Sequence, residues 1–273
     1  MQADLGPFTI LIRFSYPARA GLRVGAGDPR SLAERLYDPA RLARRFALFE
    51  ALTLPSLKAQ SDRDFRTLLL TGEGFPGPAR ARLDRLIADL PGAEVVTLPP
   101  LHAQEAVQQA LAVVPAGRRW QVTLRLDDDD ALDVEFIARL RRTVQTLLPL
   151  QGGDTPLVVA FNRGYVLDLT GARPAFTPVV ERLPTGCGTA MIAPVASGET
   201  IYRRNHRWLP QFYDVFTEAR SPAFVRAVHG DNDGDGAVIG RTVVTPGAAL
   251  AAELARGFPF LPAAWSPANG SGR

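Results

Sequence analysis

Cysteine is almost missing from this chain: Cys187 is the only one in 273 residues. An intrachain disulfide is excluded, and with it a disulfide-stapled scaffold. No Cys-x-x-Cys pair or Cys/His spacing offers a structural zinc site. Lysine is equally scarce, since Lys58 stands alone and nearly all positive charge is arginine. No apolar run approaches the ~20 residues that span a bilayer. The first residues lack the charged and apolar regions of a secretory leader, so the expected location is cytoplasmic. Peripheral contact with the inner membrane face stays open. Net charge is only +3, from 31 Lys+Arg against 28 Asp+Glu. The arginines scatter over apparent helix faces (Arg41, Arg44, Arg45; Arg80, Arg82, Arg85; Arg139, Arg141, Arg142). They read as solvated surface, and a nucleic-acid partner is not expected.

What is present is ordinary globular material, 46% apolar and 22% charged. A chain of this length buries roughly 70–75% of its unfolded surface without staples. Phe8–Phe14, Asp64–Thr71, Glu94–Leu98, Trp120–Leu126 and Leu157–Phe161 read as buried strands, with Tyr165–Leu169 pairing beside the last. Asp38-Pro39 opens a helix that runs, past Pro55, to Gln60. Further helices are expected at 79–90, 103–114 and from about Asp133 to Leu148, with a loop at 17–30. Strands alternating with helices predict an α/β fold with a mostly parallel sheet flanked by helices. After about residue 155 short strands, Pro and Gly take over and the second half becomes mixed. One domain over 1–258 is expected, with 259–273 as a flexible tail.

Asp127-Asp128-Asp129-Asp130 follows an apolar strand directly. Ligands of parallel sheets bind beyond the carboxyl ends of strands. Four carboxylates there repel one another, and a cation would relieve them. Carboxylates combined with water and phosphate oxygens suit Mg²⁺ or Mn²⁺.

Leu126–Leu132 (LDDDDAL) resembles the Asp-x-Asp region of glycosyltransferases with the GT-A fold. The wider layout resembles the bacterial rhamnosyltransferase family. The matching pieces are Arg13-Phe14-Ser15-Tyr16, Arg45–Gln60, Asp64-Phe65, Arg125–Leu132 and His229-Gly230-Asp231-Asn232, spread over about residues 8–240. The resemblance implies a GT-A-like transferase, with residues 8–132 taking the nucleotide sugar and 133–258 the acceptor. It implies that Asp127 meets the ribose or, through water, the metal, and that Asp129 binds the ion. Asp130 would brace the loop or cap the helix. His229 would be either a third metal ligand or a loop residue; His102 and His206 read as structural. Arg13, Arg125 and Asn232 would contact the donor, although Arg125 reads equally as a buried partner of the acids. Glu73 would replace the acidic residues that relatives often carry after the second strand.

An inverting transfer needs a carboxylate to take the acceptor's proton, and Asp214, Glu218 and Asp231 are the candidates. Trp208, Phe212, Tyr213 and Phe216 around Asp214 read as core or as a sugar platform. Gly186-Cys187-Gly188 suits a close backbone approach, and Cys187 reads as a buried thiol. Arg203, Arg204 and Arg207 read as solvated charge, or as contacts to an anionic acceptor or membrane. The expected reaction moves a sugar, rhamnose on the family's label, from a nucleoside diphosphate to a cell-envelope glycan or lipid. Two rivals remain. A sugar nucleotidyltransferase would use the Gly/Arg-rich residues 20–30. A calcium-binding module would use Asp231–Gly236, which starts like an EF-hand loop but places Thr242 where the bidentate Glu belongs.

Overall fold

A computed structural model describes residues 5–19, 29–90, 92–112, 118–232 and 238–265. Strand β1 (Leu5–Arg13) leads through α1 (Pro29–Leu36) to α2 (Pro39–Leu48) and α3 (Leu54–Lys58). Then come β2 (Phe65–Gly72), α4 (Gly77–Ile87), β3 (Ala93–Leu98), α5 (Ala103–Leu111) and β4 (Trp120–Leu126). The second half holds β5 (Ala131–Leu132), α6 (Phe136–Leu147), β6 (Leu157–Phe161), β7 (Arg163–Asp168) and β8 (Ala175–Val180). It ends with β9 (Ala190–Pro194), β10 (Asp214–Glu218), β11 (Phe224–Val228), β12 (Arg241–Thr242) and α7 (Gly247–Gly257).

Seven strands form the main sheet in the order β3-β2-β1-β4-β9-β6-β10. All neighbours are parallel except β9, which runs against both β4 and β6. This is the α/β layout with a mostly parallel sheet flanked by helices that the sequence implied. Both faces are covered because strand side chains alternate. Phe8, Ile10 and Ile12 point into a core with α2, α4 and α6. Leu11 points the other way, with Leu68, Leu70 and Met191, toward Ala103, Ala106 and Val107 of α5.

The remaining strands form a second sheet, β12-β8-β7-β11-β5. Here the expectation for Tyr165–Leu169 is corrected. The strand exists as β7, but it pairs with β8 and β11 rather than with β6. Asn162 is the switch: its amide donates to Glu218 in the main sheet, and its carbonyl accepts from Glu181 in the second. The helix expected from Asp133 begins at Phe136, because Ala131–Leu132 are taken by pairing with Phe224–Val225. Pro29 starts α1 inside the stretch expected to be loop. Helix α2 does continue past Pro55: a π turn, Phe49–Thr53, joins it to α3, with Pro55 in the first turn where its missing N–H costs least.

A third apolar cluster packs Leu250, Leu254 and Phe258 at the α7 end against Tyr165, Leu167, Val225 and Ala227. Of the expected tail, Phe260, Leu261 and Trp265 pack against this cluster, and 266–273 lie outside the described residues. No helix among the described residues is long and apolar enough to cross a membrane.

Candidate functional site

Four chain segments reach the carboxyl end of β4. The β1–β4 register aligns Ile12 with Leu126, so the next residues, Arg13 and Asp127, stand side by side. Arg13 Nη2 donates to Asp127 Oδ1 at 3.3 Å. The antiparallel β9 brings in the loop before it: Gly188 N donates to Arg125 O, and Gly186 lies against Asp127. A Cβ on Gly186 would stand 3.3 Å from Asp127 Oδ2, so the backbone approach expected of this glycine is real. Gly188, at φ +82°, is different, since a Cβ there would strike Phe136. The third segment is β11, which runs back past the acids and delivers His229 and Asn232. The fourth is α2, which lowers Arg45 onto them.

The acids are not equivalent. Asp127 keeps the most open side chain, 32% exposed. Burial pushes its carboxyl up, but Arg125 and Arg13 outweigh that and hold it below the usual range. Asp128 is 1% exposed, and its contact is Arg45 Nη2 at 3.1 Å. Burial raises it to about 7, with Arg45 opposing and the neighbouring acids adding. Asp129 Oδ2 accepts from Arg45 Nη1 at 2.6 Å, from His229 Nε2 at 2.9 Å and from Asn232 Nδ2 at 3.4 Å. Asp130 turns away and accepts from the amide of Ala227 at 3.0 Å, while its carbonyl accepts from Thr53 Oγ1 at 2.8 Å. It braces the loop and caps no helix. Burial and the two nearby acids push its carboxyl well up.

Arg45 overturns the reading of these arginines as solvated surface, whereas Arg44 stays exposed. Arg45 is 8% exposed and joins Asp128 to Asp129. Arg44 pairs with Asp231. Their helix starts where the sequence places it, because Asp38 Oδ1 accepts from Arg41 N at 2.8 Å. Arg139 is likewise held between Asp133, at 2.9 Å, and the ring of Phe161.

Arg125 is a buried partner of the acids. It faces Asp127 at 3.5 Å, donates to His206 Nδ1 at 3.2 Å and stacks on Tyr202. Arg13 also lies over the Tyr202 ring. His206 is kept neutral, pushed down to about 3 by burial and then by the Arg125 charge. Tyr202 and the site position of His206 carry no motif in the sequence, and Arg45 is marked only as the first residue of the family-like stretch Arg45–Gln60. Ser15, just beyond Arg13, adopts φ 54°, a left-handed conformation unusual for a non-glycine and placed at the ligand end of β1.

His229 and Asn232 therefore both reach Asp129. Asn232 Oδ1 accepts from His229 N at 2.5 Å and fixes that turn. Asp231 N donates to His229 Nδ1, and its carboxylate is held low first by the Arg44 hydrogen bond. Glu73 lies past β2 on the same sheet edge, its side chain exposed. Asp214 does not join the site. It opens β10 opposite Leu157, which aligns through Ile192 with Val122, well back along β4, and it accepts from Gln151. Most of the calcium-like loop (233–236) and residues 20–28 lie outside the described residues.

Asp129 and His229 bring a carboxylate oxygen and an imidazole nitrogen to one point. Among the described residues no group of three or more His, Cys, Asp or Glu is placed to hold a metal ion. Mg²⁺ and its relatives take one or two protein carboxylates and fill the remaining positions with water and phosphate oxygens. One carboxylate and one imidazole are donor types such an ion accepts, although the same Asp129 oxygen is already paired with the Arg45 guanidinium.

The family described as "Putative rhamnosyl transferase" matches residues 8–241. No curated protein matches. Among solved structures, S. aureus TarS 1-349 in complex with UDP-GlcNAc is similar at 12% identity and TM-score 0.49, over 93% of this chain and 68% of that one. A longer S. aureus TarS structure gives 11% identity and TM-score 0.45, and the chain spans 37% of its length. HddC from Yersinia pseudotuberculosis gives 15% identity and TM-score 0.38, over 80% of this chain and 93% of that one. These likenesses assign no substrate here. The family match defines the class: this is a glycosyltransferase of the nucleotide-sugar type. Within that class, the chain belongs to the rhamnosyl transferase family.

Proposed function

We propose that the protein transfers a sugar, rhamnose by the family's description, from a nucleoside-diphosphate donor to a cell-envelope glycan or lipid acceptor. One observation carries this reading. Arg13, the pair Asp127 and Asp129, and the pair His229 and Asn232 come from three segments and converge at the carboxyl end of β4. Asp129 and His229 would hold Mn²⁺ or Mg²⁺, with Asp127 beside them. When bound, that ion offsets charge developing on the departing diphosphate. Arg13 and Arg125 supply fixed positive charge on the same side, and Gly186 leaves room against Asp127.

Of the carboxylates considered as base, Asp231 is retained. It stands beside His229 and is ionised at neutral pH, whereas Asp214 lies elsewhere on the sheet.

The test is a titration of nucleoside diphosphates with and without Mn²⁺, read by thermal shift. A ligand at about 100 times its dissociation constant stabilises the fold by roughly 2.7 kcal/mol. The expected result is a Mn²⁺-dependent shift with one diphosphate, lost in Asp129→Ala. Equal donor affinity in Asp129→Ala would refute the metal assignment. Asp231→Asn is expected to lower kcat while leaving the diphosphate shift intact.

A further inference from the structure

The segment from Glu199 to Tyr213 lies over one face of the main sheet and is firmly anchored. Ile201 and Leu209 are fully buried, Tyr202 nearly so, and Ile201 N donates to Thr123 Oγ1 on β4. A short 3₁₀ helix, His206–Gln211, is capped by Asn205, whose side chain accepts from Arg207 N. This anchoring leaves two large apolar side chains facing water: Trp208 is 58% and Phe212 51% exposed. Neither can turn inward, because Leu209 and Tyr213 already fill the inward positions. The same stretch carries Arg203, Arg204 and Arg207 against one acid, Glu199. Glu199 is already engaged by Arg203 and by Tyr213 Oη. The Arg204 guanidinium lies 4.5 Å from the centre of the Phe212 ring, so charge and apolar surface form one patch.

Exposed aromatics beside arginines, on a rigid turn with little negative charge, match the boundary between lipid headgroups and acyl chains. We propose that this patch docks the protein on an anionic membrane surface. Trp208 and Phe212 enter the headgroup layer, and the arginines pair with lipid phosphates. The 3₁₀ helix that carries Trp208 begins at His206, which accepts a hydrogen bond from Arg125 at the site. Docking therefore holds the carboxyl end of β4 close to the bilayer, where a lipid-linked acceptor would present its sugar. The docking itself does not depend on the transferase reading; only that consequence does.

The experiment is vesicle co-sedimentation of the full chain without nucleotide. Phosphatidylglycerol mixed with phosphatidylcholine is compared with phosphatidylcholine alone. Binding is expected to the anionic vesicles and to weaken as salt screens the charges. Arg204→Ala is expected to reduce partitioning about fivefold, the ratio that corresponds to ~1 kcal/mol per arginine near such a surface. Trp208→Ser combined with Phe212→Ser is expected to abolish it. An unchanged unfolding midpoint in each variant shows that the fold survives, since all three side chains are exposed. The proposal is overturned by absence of binding, by equal binding to neutral vesicles, or by variants that bind like the parent. Quenching of tryptophan fluorescence by a soluble oligosaccharide, with no vesicle binding, would overturn it in favour of a glycan platform. A protein that binds vesicles but no nucleotide would sink the transferase reading and leave the docking surface standing.

Discussion

Arg45 shows how much of the site's electrostatics one side chain decides. Four adjacent carboxylates suggest a cation, and the sequence offers one nearby partner, Arg125. The fold supplies Arg13 and Arg125 to Asp127, Arg45 to Asp128 and Asp129, and the field of Arg226 to Asp130. Removing one partner of a buried ion pair leaves an uncompensated charge, which costs ~3–5 kcal/mol. Arg45→Ala is expected to lose stability on that scale in urea unfolding. A loss within the ordinary range of surface substitutions would show that the pair is not buried in solution. Asp133 gives a pH signature. Burial raises its carboxyl to about 6, with Arg139 and then the Glu135 amide pulling the other way. The folded state then holds the proton more firmly than the unfolded chain, whose aspartate titrates at 3.8. Its contribution is complete below about pH 4 and fades as pH rises through about 6, by up to roughly 3 kcal/mol. Unfolding free energies of the parent should therefore fall across that window relative to Asp133→Asn. Parallel pH profiles for the two proteins would contradict this.

Among the elements, those built by local rules were legible in the sequence. Trp120–Leu126 and Leu157–Phe161 form strands with the expected bounds, the first because apolar residues alternate with Gln121, Thr123 and Arg125, the second because a continuous apolar run fits a strand buried on both faces. The start of α2 followed from Asp38-Pro39, a cap and a preset φ. Asp38→Ala is expected to cost ~1 kcal/mol, read by denaturant unfolding. The partner of Tyr165 was not legible, since nothing local tells a strand which neighbour it meets. Nor was the packing of residues past Phe258. That residue is 1% exposed and sits edge-on to Tyr165 at 5.8 Å. Phe258→Ala is expected to destabilise by ~3–5 kcal/mol. Retention of full stability in that variant would mean that α7 does not close the third cluster.

On the scale of the molecule, the two sheets meet at the acidic segment. Asp130 binds the amide of Ala227 in β11, Thr53 binds the Asp130 carbonyl, and Val134 N donates to Gly257 O at the end of α7. Breaking one sheet strips partners from buried groups in the other. Trp120 lies in the first sheet and Trp265 packs on the second, so fluorescence senses both. Urea curves from tryptophan fluorescence and from far-ultraviolet circular dichroism should coincide in one transition. Two separated transitions would show that the sheets unfold independently.

The sequence by itself determined the alternation of strands and helices, the parallel core of the sheet and the position of the acids at a strand end. Periodicity, caps and strand ends are local properties written in neighbouring residues. It also marked Asp129, His229 and Asn232, through short motifs whose order matched a family. Only the tertiary structure decided what neutralises the acids, which candidate carboxylates reach them, and that Trp208 and Phe212 face outward. Those outcomes depend on contacts between residues more than a hundred positions apart, as between Asn232 and Asp129 or between Arg44 and Asp231. No local pattern encodes such contacts, because they exist only once the sheet order and register are set.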